Sequence, residues 1–515
     1  GGKGKIAVVH NGIIENYKQI KEFLEQKGVV FASQTDSEVI AQLAEYYYYG
    51  DIMDTVVRVS NRLEGSYALG ILCADDPDTL IAVKKDNPLI IGVSEHGNFI
   101  ASDVPAVLKY TDRVHYLGDH EIAVLTKAGV SFFNMDLDPL EKAPETVSWT
   151  LDSAEKGGYP HFMLKEIFEQ PKILKETIQS AVSVGENKNI IDAFDITRFN
   201  KVLLIGCGSA YNAGVVAKYA FEKLCGLPCI ETDLASEFRY RNAVVDKKTL
   251  VILVSQSGET ADTIAAMREA KARGAVTLSI VNVVGSAIAK ESDYCLKTLA
   301  GPEIAVATTK AFSAQLALLY ILAVRFAVGL GKLLPEEGRG LLAEIAGIPA
   351  KISDILSRQG DIQKFAVSAV SSKSIFFIGR NIDYAVCLEG SLKLKEISYV
   401  HSEAYAGGEL KHGTISLIED DTLVVAISTC KRLYGKIMSN VEQVQSRGAK
   451  VLLIGNAHKT DAGENLSVVE LPGICELFSP SLSVIVLQLF AYYVAANKGL
   501  DIDKPRNLAK SVTVE

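Results

Sequence analysis

Basic charge is in short supply: 53 Lys and Arg stand against 62 Asp and Glu, a formal net charge of −9. Such a chain does not suit nonspecific binding of nucleic acid, whose affinity rests on neutralised phosphates. An anionic ligand would need a local site of backbone N–H groups, hydroxyls or a few lysines. The eight cysteines are scattered; only Cys225 and Cys229 lie close together, and no second pair completes a zinc site. They read as buried free thiols in a reducing cytoplasm, with no metal expected. No apolar run is expected to reach the ~18–20 residues that cross a bilayer, and Gly1-Gly2-Lys3-Gly4-Lys5 has no signal-peptide core. No membrane is expected as a partner. Position 1 is not Met and residues 6–9 already read as a strand, so the chain is expected to begin inside a domain.

What is present suits about three domains, at about 150 residues each, in a chain of 515 residues that is 48% hydrophobic. Helical patterns at 15–26 and 37–49 precede short strands at 67–73, 80–84, 89–93, 99–102, 121–125 and 130–133. Turns such as Asp75-Asp76-Pro77-Asp78 punctuate them. An α+β layered domain is expected over 1–140, then a polar, Pro- and Gly-bearing linker over 141–164. Beyond it, fully apolar strands at 202–205, 250–254 and 275–281 alternate with helices, the mark of a parallel sheet buried on both faces. The pattern then repeats: Gly379 follows Gly206, and Ser428 follows Ser255, at one offset of 173 residues. Two tandem doubly wound α/β domains are expected, at 165–345 and 346–500, with a short tail at 501–515.

The strongest chemical motif is Ser255-Gln256-Ser257-Gly258-Glu259-Thr260, between a strand and a helix. Such a turn aims backbone N–H groups and a helix dipole at an anion, and the hydroxyls add donors fitted to phosphate oxygens. The plainer alternative is a helix cap. No Walker lysine follows, which argues against a nucleoside triphosphate. Gly206-Cys207-Gly208-Ser209 ends the first strand of the first repeat and suits a sugar hydroxyl or phosphate, or else close packing of helix on sheet. The second repeat has Gly379-Arg380-Asn381 and Ser428-Thr429-Cys430-Lys431 there, so one phosphate site is expected, in the first repeat. Glu389, Lys393 and Glu396 share a helix face; each alone is expected to be a solvated ion-pair partner. His412 lies in a glycine-flanked loop. A carboxylate, a lysine and a histidine gathered near a phosphate loop would suit proton shuttling on a sugar. Lys510, in a tail of low charge, is either a solvated lysine or a desolvated amine able to form a Schiff base with a ketone.

Several stretches together carry a resemblance: His10-Asn11-Gly12-Ile13-Ile14-Glu15-Asn16, Gln34-Thr35-Asp36-Ser37-Glu38, the serine loop, Thr308-Thr309-Lys310-Ala311-Phe312, and the segments 392–399, 408–413 and 505–515. The chain resembles the isomerizing glutamine–fructose-6-phosphate aminotransferases, or glucosamine-6-phosphate synthases. That family joins an N-terminal-nucleophile glutaminase domain to two sugar isomerase (SIS) domains. The resemblance implies that fructose 6-phosphate becomes glucosamine 6-phosphate with ammonia from L-glutamine, and that no cofactor is needed. It implies roles for Ser209, Ser255, Gln256, Ser257 and Thr260 around the sugar phosphate, with Val306, Thr308 and Ala509 as further contacts. Ala210 departs from the family's commoner serine. Lys510 would form the Schiff base, Glu396 would move the proton between C1 and C2, and Lys393 would assist at the C1 oxygen. His412 would open the sugar ring, in the family from the neighbouring subunit, which implies a homodimer with shared active sites. Asn11 and Gly12 match an oxyanion-hole pair, and Asp36 matches the anchor of the glutamine amino group. Residue 1 is not the family's nucleophilic cysteine, so the glutaminase domain is expected to lack its front part, to leave unpaired strand edges, and not to hydrolyse glutamine. Two other readings are an SIS-domain sugar-phosphate isomerase without amination and a non-catalytic sugar-phosphate sensor.

Overall fold

The computed structural model describes residues 1–2, 4–147, 155–456 and 462–512. The chain divides into two compact units. One comprises residues 1–155 with the short segments 259–261 and 511–515; the other comprises 156–258 and 262–510.

The first unit holds two antiparallel sheets. Strands β1 (Ile6–Ile14), β2 (Gly65–Cys73), β3 (Asp76–Lys85), β4 (Ile90–Ser94), β5 (Gly97–Ala101), β6 (Arg113–Tyr116), β7 (Ile122–Thr126), β8 (Gly129–Phe133), β9 (Pro139–Leu140) and β10 (Glu145–Thr146) form them. The orders are β1-β2-β3-β7-β8-β9 and β10-β6-β4-β5. Strand β1 is longer than the sequence suggests because alternation persists through the polar His10-Asn11-Gly12: even-numbered residues face inward and odd-numbered ones outward. Helices Tyr17–Gln26, Asp36–Tyr47 and Ile52–Arg62 supply Ile20, Leu24, Val39, Leu43, Val56 and Val59 to a core shared with β1 and β2. The second is capped by Thr35, whose hydroxyl accepts from Glu38 N–H.

Within the expected linker the chain is more ordered than its polar composition implied. Strand β10 pairs with β6, and a long helix already begins at Phe162; residues 148–154 lie outside the described residues. That helix, Phe162–Val182, runs through Pro171, which removes one ladder hydrogen bond. The freed carbonyl of Ile167 is taken by the Gln170 side chain at 3.3 Å.

The second unit contains the two repeats. Strands β11 (Lys201–Gly206), β12 (Cys229–Leu234), β13 (Thr249–Ser255), β14 (Val276–Val281) and β15 (Tyr294–Lys297) are parallel in the order β12-β11-β13-β14-β15. Strands β16 (Ser374–Gly379), β17 (His401–Ala406), β18 (Leu423–Ser428), β19 (Lys450–Gly455) and β20 (Leu466–Glu470) repeat that order as β17-β16-β18-β19-β20. In each sheet the order reverses between the first and third strands, which opens a crevice at their carboxyl ends. The serine loop and the Gly206 turn of the first repeat lie at that point.

The repeats share one core. Helices Lys310–Gly329 and Pro480–Asn497 are buried along nearly their whole length, and Tyr320 of the first meets Phe478, just before the second, with ring centroids 5.0 Å apart. This corrects one expectation. The segments Lys310–Gly329 and Glu476–Asn497 are long and apolar enough to cross a membrane, but 89% of each apolar stretch is buried inside the structure. They are apolar all round because they are packed all round. All eight cysteines are free thiols.

The start of the Phe162–Val182 helix is held from far along the chain. The Asp503 carboxylate accepts from the N–H groups of Phe162 at 2.9 Å and Met163 at 3.0 Å. Asp503→Ala is expected to cost about 1–2 kcal/mol of stability in urea unfolding, as for loss of a helix N-cap; an unchanged midpoint would assign that capping to another group.

Candidate active site

The serine loop is a closed turn. Gly258 has φ +67°, and a Cβ there would lie 2.0 Å from the Ser286 hydroxyl, so only glycine fits. Gly258 N–H donates to Ser255 Oγ at 3.0 Å, while Asn282 N–H and Ile288 N–H donate to the carbonyls of Gln256 and Gly258. Ser255 is buried, and Gln256, Ser257 and Thr260 are half-buried at the head of helix Ala261–Ala272. The first N–H of that helix, on Ala261, donates to the Val512 carbonyl at 3.2 Å.

The second repeat fills its own equivalent turn. Asp383, one repeat on from Ala210, turns a buried carboxylate onto Thr429, accepting from its N–H at 2.9 Å and from its hydroxyl. Burial holds the Asp383 carboxyl above its usual range, against the donors of Thr429 and Cys430. A carboxylate thus occupies the donors of this turn in the second repeat, where the first repeat has Ala210 at the matching position.

The charged helix departs from its sequence reading. On Ile382–Ser398, Glu389 and Lys393 are buried rather than solvated. Lys393 Nζ is 2.5 Å from Glu396 and 3.6 Å from Glu389. Glu389 also accepts from Ser209 Oγ and Asn212 Nδ2, both at 2.9 Å. Ser209, expected at the phosphate, is therefore tied across the repeats to this carboxylate. Burial pushes Glu389 up to about 6, with Lys393 pulling the other way. Burial works against the Lys393 charge, but Glu396 and Glu389 outweigh it and hold its pKa above the ordinary value.

The tail is docked. Lys510 Nζ donates to Glu303 Oε2 at 2.7 Å and to the Ala305 carbonyl at 2.9 Å, and its side chain is 19% exposed. Val306 N–H donates to the Asp503 carbonyl at 3.0 Å, and Arg506 lies over the Tyr399 ring at 4.3 Å. Thr308 is half-buried and Ala509 exposed, while residues 513–515 lie outside the described residues. Lys510 and the 303–308 segment are thus brought together. The Lys393 charge also acts on Glu303, which links the Glu389–Lys393–Glu396 row to the same cluster. His412 stands apart, exposed on the short 3-10 turn Glu409–His412. Sequence reasoning missed Glu303, Glu166 and Asn212; their only signal was position, Glu303 lying five residues before Thr308 and Asn212 one helical turn beyond Ser209.

In the first unit, Gly12 has φ +128°, and a Cβ there would meet the Ser66 carbonyl at 2.1 Å. The Asn11 side chain donates to Ser102 Oγ at 3.1 Å, and the Asn11 backbone carbonyl accepts from the Asn87 side chain at 2.6 Å. Asp36 accepts from Ile14 N–H at 3.0 Å and lies 4.0 Å from His10, whose pKa burial lowers despite that carboxylate.

Comparison with known proteins agrees with this layout. A glutamine amidotransferase domain model matches residues 2–109, and the SIS domain model matches 195–325 and 370–498. The chain is 50% identical to a glutamine–fructose-6-phosphate aminotransferase (isomerizing) of Clostridium acetobutylicum, with 99% of this chain and 84% of the relative aligned. The chain belongs to that family. A relative of the same name from Aquifex aeolicus is 46% identical, with 100% of this chain and 85% of the relative aligned. Among solved structures, the C-terminal domain of glucosamine-fructose-6-phosphate aminotransferase from Francisella tularensis is 37% identical. It covers 68% of this chain and 100% of its own, with a TM-score of 0.64. A glucosamine-6-phosphate deaminase from Thermotoga maritima is 26% identical over 68% of this chain and 99% of its own, at TM-score 0.54.

One pH effect follows from Glu389. Its folded pKa, about 6, lies above the ordinary 4.5. Its contribution to stability is therefore fully present below pH 4.5 and is lost as pH rises through about 6. Between pH 4.5 and pH 7 the parent is expected to lose about 2 kcal/mol more than Glu389→Gln, by urea unfolding at each pH. Parallel losses would place the Glu389 pKa in the ordinary range.

Proposed function

We propose that this chain carries out its family's reaction, making glucosamine 6-phosphate from fructose 6-phosphate with nitrogen from glutamine, and that Lys510 is the amine that meets the ketose carbonyl. The docking of Lys510 beside the 303–308 segment carries the reading. A terminal lysine with no such task would remain in solvent, where its entropy is highest.

The serine loop would hold the phosphate through Ser255, Gln256, Ser257 and Thr260, with backbone N–H groups and the helix dipole behind them. Val306, Thr308 and Ala509 would border the sugar. Lys510 would condense with C2 and fix the open-chain ketose as an imine, until ammonia replaces the lysine at C2. Glu396, half-exposed and paired with the buried Lys393, would take the proton from C1 and return it to C2. Ser209 would act in part through Glu389, which in turn faces Lys393. Asn11, Gly12 and Asp36 would belong to the glutamine site. His412, exposed on its own subunit, suits a group delivered to a second copy's site, so we propose a homodimer with shared active sites. The acidic charge balance and eight free thiols support a cytoplasmic setting.

Borohydride reduction in the presence of fructose 6-phosphate tests the central step. A stable adduct mapped by mass spectrometry to Lys510, and absent in Lys510→Ala, is the expected outcome. An adduct that survives Lys510→Ala, or none in the parent, would remove Lys510 from the mechanism.

A further inference from the structure

Two buried carboxylates around Lys510 have no place in the scheme above. Glu303 Oε1 accepts from the N–H groups of Thr309 at 2.9 Å and Ala311 at 3.1 Å, at the head of helix Lys310–Gly329. Its orientation is thus set by the backbone, and Oε2 is left for Lys510. Glu166, on helix Phe162–Val182, accepts through Oε1 from Ile304 N–H at 2.5 Å and Ala305 N–H at 3.2 Å. Its Oε2 is buried without a hydrogen-bond partner. Ala305 is therefore held at both ends of its residue, its N–H by Glu166 and its carbonyl by Lys510.

We propose that Glu303 is a positioning residue for Lys510, aiming its amine and taking the proton that the ammonium loses before attack, while Glu166 stands behind as a neutral acid that keeps the negative charge on Glu303. This rests on the Schiff-base role of Lys510. The charges around the pair are consistent with it. Lys510 and Lys393 both act on Glu303; Glu303, Lys510 and Lys310 act on Glu166; and Lys310 is itself paired with Glu169, which also faces Lys165. Two neighbouring buried carboxyls do not both ionise readily. Burial and the Glu303 charge push Glu166 up to about 8. Glu303 is also buried, but Lys510 overcomes that and holds it below its ordinary value.

The step balances without an outside reactant. Glu303 accepts one proton from the Lys510 ammonium. The freed nitrogen lone pair bonds to C2 as the C2–O π pair moves to oxygen. The carbinolamine then expels that oxygen as water, which carries off the borrowed proton and one more from nitrogen. Ammonium plus ketone thus give a protonated imine plus water; Glu303 is neutral while it holds the borrowed proton and is an anion again, opposite the iminium, once water has left.

The test is the rate of borohydride trapping of fructose 6-phosphate on Lys510, from pH 5 to pH 9, in the parent, Glu303→Gln and Glu166→Gln. Both variants keep an oxygen for their backbone donors. Glu303→Gln is expected to trap at least tenfold more slowly at pH 7, because the amine has lost the group that aims it and takes its proton. Its dissociation constant for fructose 6-phosphate is expected to change less than threefold. Glu166→Gln is expected to raise the ratio of rates at pH 9 and pH 7 at least threefold over the parent, because no second negative charge appears beside the lysine above pH 8. A Glu303→Gln variant that traps at the parent's rate, or an unaltered ratio in Glu166→Gln, would overturn the assignment. A parent that gives no Lys510 adduct would instead fail at the earlier step, taking this inference with it.

Discussion

The carboxylate of Glu303 is the point on which the placement of the tail depends. It joins the head of the Lys310–Gly329 helix to Lys510, more than two hundred residues away in sequence. A fully buried carboxylate is costly unless it is paired and hydrogen-bonded. Here two backbone donors and one ammonium meet that demand. The same demand orders the tail: without a cation on its free oxygen the site would hold an uncompensated charge. A segment that composition alone would leave loose is therefore drawn into place by a debt of solvation rather than by apolar burial.

The sheets place this cluster. In a doubly wound sheet the crevice falls where strand order reverses, and both repeats have that reversal. They differ at one matching position. At position 210 the first repeat has alanine, and at the matching position 383 the second has aspartate, which turns inward onto Thr429. A single carboxylate thus closes the second repeat's turn on itself. The second repeat contributes instead the helix with Glu389, Lys393 and Glu396, tied back through Ser209 and Asn212.

Much of this was legible in the sequence. Apolar strands between helices, and their return at a fixed offset, carried the two parallel sheets, because a strand buried on both faces has little chemical freedom. Ser255-Gln256-Ser257-Gly258 carried its own turn, since Gly258 is required where φ is positive. The burial of Glu389 and Lys393 was not legible. Helical spacing shows that charges share a face but not what covers it, and here the cover comes from Ser209 and Asn212 about 180 residues earlier. Glu303 and Glu166 were hidden for a related reason: their partners are backbone amides, which every residue possesses and no motif displays. The two long apolar helices were overlooked because Lys310, Arg325 and scattered Ser, Gln and Tyr side chains interrupt the run without breaking the helix.

The shared core has a consequence for dissection of the chain. Helices Lys310–Gly329 and Pro480–Asn497 come from different repeats, yet Gln170 bonds Gln488 at 2.7 Å, and Tyr320 packs on Phe478. A cut near residue 346 would not release two tidy modules. It would lay bare two greasy helical faces with inward-pointing amides, a surface that sticks to itself in water and denies either half an independent life in solution.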